Sequence, residues 1–113
     1  MSTGIHPTAI VDPKAELGRD VTVGPWAYVG PHCVVGDGCV IAMRATLEEH
    51  VILAPRVSVG IGTVLGGKPQ DLKFKGEVTT VEIGEGTALR EYLTINRGTS
   101  ESFKTTVGKN CFL

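Results

Sequence analysis

The chain has 113 residues and a formal net charge of −1, and its charged residues are scattered along the sequence. One domain over residues 1–113 fits this length. No basic stripe favours nucleic acid as a partner, and no apolar run approaches the roughly 20 residues that span a bilayer. The first four residues show neither the cationic start nor the apolar segment of a signal peptide, so we expect a cytoplasmic protein without membrane insertion.

A six-residue repeat dominates residues 5–65. Every sixth residue in this stretch is aliphatic, at the positions Ile5, Val11, Leu17, Val23, Val29, Val35, Ile41, Leu47, Leu53, Val59 and Leu65. The residue four places after each aliphatic is usually small, and the residue directly after it is often glycine. A fixed period sustained over so many units predicts a solenoid.

The length of the repeat decides which kind of solenoid is predicted. Helix faces recur every 3.6 residues and strand faces every 2, so a period of six fits a short strand followed by a bend. We expect the glycine to allow that bend. Three units close a triangular coil of 18 residues, and stacked coils lie about 4.8 Å apart. The sequence therefore predicts an all-β parallel β-helix of about six coils around a thin aliphatic core.

Residues 18 positions apart should stack in columns inside such a helix. The first predicted column contains Val11, Val29, Leu47, Leu65 and Ile83. The second contains Ile5, Val23, Ile41, Val59 and Ile95, and the third contains Leu17, Val35, Leu53, Leu89 and Val107. Cys33, Cys39 and Cys111 fall on the small inward position with no metal-type spacing, so we expect unpaired, reduced, buried thiols.

Two polar stretches interrupt the repeat. The first, residues 66–77, is bounded by glycine and proline, and the aliphatic spacing resumes at Ile83. It either replaces part of a coil or projects from it, and we expect a projecting loop, a place where function is commonly carried. Residues 98–104 form a second predicted external loop. The final residues 111–113 start another unit without a polar cap, so we expect a chain truncated within the repeat.

Three segments carry a resemblance to a known family. They are His-Pro-Thr-Ala-Ile-Val at 6–11, Gln-Asp-Leu-Lys at 70–73 within the first interruption, and Arg-Glu-Tyr-Leu-Thr-Ile-Asn-Arg-Gly-Thr at 90–99. Together they resemble the UDP-N-acetylglucosamine O-acyltransferases of lipid A synthesis. The resemblance covers the whole chain but only the first two-fifths or so of a family member.

The resemblance implies a fold and a reaction. The fold is a left-handed β-helix in a homotrimer, with active sites between subunits. The reaction moves a 3-hydroxyacyl group from acyl carrier protein to the 3-hydroxyl of UDP-N-acetylglucosamine, with no cofactor, no metal and no covalent intermediate. A histidine general base takes the sugar proton, and backbone N–H groups hold the oxyanion.

The resemblance also implies which residues act. The family's base lies in a His-x-x-His-Asp motif just beyond the position of Leu113, so we expect no catalytic residue here and an inactive fragment that also lacks the C-terminal helical domain. Asp71 and Lys73, with Gln70 as a weaker candidate, match substrate-binding positions. The carboxylate can accept hydrogen bonds from hydroxyls, and the lysine can support an anion. A solvated loop or a trimer contact is the alternative, and Asn96 and Arg97 are expected to serve strand ends and subunit contacts.

Other interpretations remain open. Another hexapeptide-repeat enzyme, such as an acetyltransferase that uses coenzyme A, would share the repeat, and so would a non-catalytic scaffold. His32 and His50 lie 18 residues apart, at one corner of successive coils, and could supply two metal ligands. Zinc sites use at least three protein ligands, and no third histidine shares that position. We therefore expect exposed corner histidines and no metal.

Overall fold

The computed structural model describes residues 4–67, 79–97 and 104–113. Within these ranges the chain forms short strands joined by tight turns, and the described residues contain no helix of the length and apolarity that crossing a bilayer requires. The strands, in chain order, are β1 (Gly4–Ile5), β2 (Ile10–Val11), β3 (Glu16–Leu17), β4 (Thr22–Val23), β5 (Tyr28–Val29), β6 (Val34–Val35), β7 (Val40–Ile41), β8 (Thr46–Leu47), β9 (Val51–Leu53), β10 (Ser58–Val59), β11 (Val64–Gly67), β12 (Thr80–Ile83), β13 (Ala88–Leu89), β14 (Thr94–Asn96) and β15 (Lys104–Val107).

The strands form three five-stranded sheets, in which every third strand along the chain is a neighbour. The first sheet has the order β1-β4-β7-β10-β13, the second β2-β5-β8-β11-β14, and the third β3-β6-β9-β12-β15. Neighbouring strands run parallel in each sheet. A parallel bridge from Ala88 to Phe112 continues the first sheet by one more level. The architecture is the three-sided parallel β-helix that the six-residue period predicted.

The core is the aliphatic rod inside this prism. Each strand turns its repeat aliphatic inward, and Ile41, Leu47, Leu53 and Leu65 are completely buried. Burying one such side chain contributes about 1.5–3 kcal/mol. Cys33 and Cys39 lie in the same core as free thiols, and burial raises the pKa of both. They pack as small apolar groups, as predicted, whereas Cys111 in the last turn is only half-buried.

The turns differ from the prediction about glycine. In the turn after β5, the residue in the left-handed region is His32, with a φ of 61°, and not Gly30. A Cβ on Gly30 would overlap the carbonyl oxygen of Glu48 and lie 2.8 Å from its carbonyl carbon. Gly30 therefore leaves room for the next coil. The other left-handed corner residues apart from glycine are Asp20, Trp26, Arg44, His50, Arg56, Tyr92 and Asn110.

The inner columns follow the prediction up to Leu65 and depart from it afterwards. Ile83 lies over Leu53, not over Leu65, and Leu89 lies over Val59. Ile95 lies over Leu65, so the predicted column positions of these three residues are wrong. Leu53 and Ile83 are 30 residues apart instead of 18. The 12 additional residues keep the six-residue phase but move each later unit round the prism by two faces.

Both interruptions begin and end at the same edge of the prism. The chain leaves the second sheet after β11 and enters the third at β12, and it repeats this step one coil later from β14 to β15. We call this edge, between the second and third sheets, the insertion corner. The projecting shape predicted for the two loops concerns residues that lie outside the described ranges.

Candidate functional site

Polar groups from three successive coils meet at the insertion corner. They are Glu48, Glu49 and His50 in the turn between β8 and β9, Gly66 and Gly67 at the end of β11, and Asn96 and Arg97 at the end of β14. On the other coils of the second sheet the strands β2, β5 and β8 have two residues each, whereas β11 and β14 are longer. The two longer strands carry the chain to the points where the interruptions start.

The backbone at this corner is irregular and closely packed. The register between β11 and β14 shifts between Leu65 and Gly67, and Gly66 has a φ of 80°. A Cβ on Gly66 would lie 2.7 Å from the carbonyl oxygen of Glu49, so the position requires glycine for both conformation and space. The backbone N–H of Arg97 donates to the carbonyl oxygen of Gly67 at 3.0 Å. This bond ties the start of one interruption to the start of the other.

Side chains converge on the space beside Gly67. The carboxylate of Glu48 and the side-chain oxygen of Asn96 would each lie 3.0 Å from a Cβ built on Gly67. Arg97 keeps only 7% of its surface exposed. Its guanidinium is charged at any ordinary pH. The corner therefore combines a buried cation with carboxylates and an amide, groups that can hydrogen-bond a hydroxyl-bearing ligand.

Two histidines stack at the same corner, as their spacing of 18 residues predicted. The rings of His32 and His50 are 5.1 Å apart at their centroids, and their planes differ by 8°. The Nε2 atom of His50 lies 3.6 Å from a carboxylate oxygen of Glu49. Burial lowers the pKa of His50, the Glu49 carboxylate raises it, and Arg97 and His32 lower it further. The His50 imidazole is therefore neutral at pH 7.

The predicted site residues and the described ones meet only in part. Gln70, Asp71 and Lys73 lie outside the described residues, so their substrate-binding role stays a prediction. Asn96 and Arg97 lie at a strand end, as expected. Within residues 4–67, 79–97 and 104–113, no group of three or more histidine, cysteine, aspartate or glutamate side chains is arranged to hold a metal ion.

Sequence analysis missed two features of the corner, the carboxylates of the His50 turn and the burial of Arg97. Glu48 and Glu49 directly precede His50, which had already been assigned to a corner. The available signal was that both interruptions follow units of one face. That signal appears only when the first interruption is counted as 12 added residues.

Comparisons with known proteins agree with this architecture. Residues 14–49 match the family model described as bacterial transferase hexapeptide (six repeats). The acyl-[acyl-carrier-protein]–UDP-N-acetylglucosamine O-acyltransferase of Sulfurihydrogenibium sp. is 47% identical over 110 residues, which cover 96% of this chain and 41% of that protein. The enzyme of the same name from Chlamydia caviae is 34% identical over 111 residues, 98% of this chain and 40% of that protein.

A solved structure shows the same fold. The crystal structure of LpxA, a UDP-N-acetylglucosamine acyltransferase from Bacteroides fragilis, superposes with a TM-score of 0.93 at 39% identity, covering 96% of this chain and 42% of that one. The chain belongs to the UDP-N-acetylglucosamine O-acyltransferase family. It spans about two-fifths of the length of the curated relatives it matches and corresponds to their N-terminal part. The predicted fold class of this acyltransferase family, a left-handed parallel β-helix of hexapeptide repeats, is confirmed.

Proposed function

We propose that this chain is the N-terminal part of an enzyme that transfers a 3-hydroxyacyl group from acyl carrier protein to the 3-hydroxyl of UDP-N-acetylglucosamine, the first step of lipid A synthesis. The observation that carries the proposal is the match of nearly the whole chain, in sequence and fold, to enzymes named for this acyl donor and sugar nucleotide. A homotrimer in the cytoplasm belongs to the same proposal.

The substrate-binding part of the proposal concerns Asp71, Lys73 and Gln70. The segment that carries them follows Gly67, which belongs to the polar group at the insertion corner. A carboxylate there accepts hydrogen bonds from sugar or 3-hydroxyacyl hydroxyls, and an ammonium group supports an anionic substrate. The polar character of Glu48 and Asn96 at the same corner supports this location.

The proton-transfer part of the proposal places the general base elsewhere in the full-length enzyme. The three histidines of this sequence are His6, His32 and His50. His6 bonds to Thr8 within its own turn, and the other two stack on each other. None belongs to a His-x-x-His-Asp motif. We therefore propose that the 113-residue chain alone does not turn over.

The direct experiment supplies 3-hydroxyacyl carrier protein and UDP-N-acetylglucosamine to the purified chain and measures acylated sugar nucleotide by mass spectrometry. We expect no product. A chimera in which residues 1–113 replace the matching part of the Sulfurihydrogenibium relative should form the product. In that chimera Asp71→Ala should lower kcat/KM while thermal stability stays unchanged.

Three outcomes would contradict the proposal. Turnover by the isolated chain would show that the base lies within it. A folded chimera that accepts acetyl-coenzyme A instead of acyl carrier protein would favour the acetyltransferase alternative. Unchanged kinetics of the Asp71→Ala chimera would remove Asp71 from the site.

A further inference from the structure

The turn that carries His50 supports the insertion corner from below. The carbonyl oxygen of His50 accepts the backbone N–H of Val81 at 3.1 Å, at the point where the chain re-enters the prism in β12. Gly66 packs against the carbonyl oxygen of Glu49 in the same turn. The chain therefore leaves and returns on top of the same two residues. Any movement of this turn acts on both points.

The imidazole of His50 meets charged or titratable groups from each element packed against it. His32 lies below it in a parallel stack at 5.1 Å, and Arg97 approaches from the end of β14. Glu49 faces its Nε2 atom, and Glu48 belongs to the same turn. Farther groups at this corner are the buried thiol of Cys33, next to His32, and Asp12 and Lys14 on the first coil, where Lys14 occupies the corresponding corner position.

The balance of these charges changes with two protons. At neutral pH the side chains at this corner comprise the carboxylates of Asp12, Glu48 and Glu49 and the cations Lys14 and Arg97, a net formal charge of −1. Protonation of both imidazoles would change that sum to +1. Two imidazolium rings stacked in parallel repel each other, and the Arg97 guanidinium repels the upper one.

We propose that the stacked His32–His50 pair is a pH-sensitive device that holds the insertion corner closed while both rings are neutral and loosens the backbone at Val81 and Arg97 when they are protonated. The device acts below about pH 6.5, the ordinary pKa of histidine. Burial, Arg97 and His32 lower the pKa of His50 in the folded chain. The unfolded chain therefore binds more protons than the folded one below pH 6.5, and stability falls with falling pH until His50 is itself protonated. The inference is independent of the proposed enzymatic function.

The first test measures the ring titrations of the 113-residue chain by NMR. In His32→Gln the pKa of His50 should rise toward 6.5, because a cation or a neutral ring no longer lies against its face. In Glu49→Gln the pKa of His50 should fall, because the neighbouring negative charge is lost. The matched control is His6→Gln, an exposed histidine of the first coil, which should move neither titration.

The second test measures hydrogen exchange at the amides of Val81 and Arg97, whose acceptors are the carbonyl oxygens of His50 and Gly67. After correction for intrinsic exchange, protection should drop about tenfold between pH 7.5 and pH 5.5 in the unmodified chain. His32→Gln should keep most of that protection at pH 5.5. This single variant leaves the buried core untouched.

Two results would overturn the device. A His50 titration that is the same with and without His32 would show that the two rings do not interact electrostatically. Protection at Val81 and Arg97 that is constant with pH, or that falls equally in His32→Gln, would show that protonation of the stack does not control the corner.

Discussion

Single residues decide how closely two coils of this helix can approach each other. Gly30 shows this most clearly, because the carbonyl group of Glu48 in the next coil occupies the space where its Cβ would be. The left-handed conformation of the same turn falls on His32, which has a side chain. A non-glycine residue in that conformation costs roughly 1–2 kcal/mol. Inter-coil bonds such as the one from His50 N–H to the carbonyl oxygen of Pro31 help to offset this cost.

Gly30→Ala should therefore lower the free energy of unfolding by about 1–3 kcal/mol or more, because a backbone carbonyl cannot move aside as a side chain can. The control is Gly4→Ala, where a Cβ would meet no atom within 4 Å, and there the change should stay within about 0.5 kcal/mol. Urea unfolding followed by circular dichroism measures both. Equal effects of the two substitutions would show that the close approach is not what selects glycine.

At the scale of the strand and its turn, buried threonines connect successive coils. The hydroxyl of Thr87 donates to the carbonyl oxygen of Gly108 at 2.6 Å and accepts the N–H of Cys111 at 3.1 Å. Thr63 makes the same pair of bonds, to the carbonyl oxygen of Arg90 and from the N–H of Leu93. Both threonines are fully buried at the position where the repeat usually places a small residue. Each hydroxyl thus satisfies backbone groups of the turn above it.

Thr87→Val should destabilise the chain by about 1–3 kcal/mol, because it keeps the volume but leaves the N–H of Cys111 and the carbonyl of Gly108 without this partner. Thr87→Ser retains the hydroxyl and should keep most of the lost stability. The comparison is made by thermal unfolding of the three proteins at one pH. A valine variant as stable as the original would show that these two bonds contribute no net stability.

At the scale of the whole molecule, stability rests on one thin column of aliphatic side chains. Leu47 lies in the middle of this column, between Val29 and Leu65, and has no exposed surface. A narrow rod has no second core to compensate for a defect. One buried unpaired charge costs several kcal/mol, against a total stability of about 5–15 kcal/mol for a domain.

Leu47→Asp should therefore prevent cooperative folding. Its control is Thr46→Asp, in the preceding position of the same strand, whose side chain points out of the prism. We expect that variant to fold, with a smaller loss of stability. Far-ultraviolet circular dichroism and size-exclusion chromatography distinguish the two results. A cooperative unfolding transition for Leu47→Asp would contradict the single-column description of the core.

How much of the fold was predictable differs between the two sides of the first interruption. Before it, the pairing of Leu17, Val35 and Leu53 follows from counting 18 residues, since every unit has the same length. After it, the count placed Ile83 over Leu65, while the structure places it over Leu53. Spacing along a chain reports phase within the repeat, and an insertion of two whole repeat lengths leaves that phase unchanged. The resulting rotation about the axis therefore leaves no trace in the period.

The candidate site shows the same limit. The stack of His32 on His50 followed from their spacing, because both lie in uninterrupted units. The meeting of Glu48, Gly67 and Arg97 did not follow from it, because two of these residues belong to strands on either side of an insertion. Burial of Arg97 could not be anticipated either, since a charged residue after a strand is usually solvated.

The amino-acid sequence by itself determined the period, the inward aliphatic face and the family, because each depends on local residue types and on fixed intervals between them. The tertiary structure alone decided which face each later unit occupies, which turn residue takes the left-handed conformation, and that both interruptions share one corner. Those properties depend on how complete coils stack on one another. The contacts concerned join residues 18 to 30 positions apart, and no local pattern contains them.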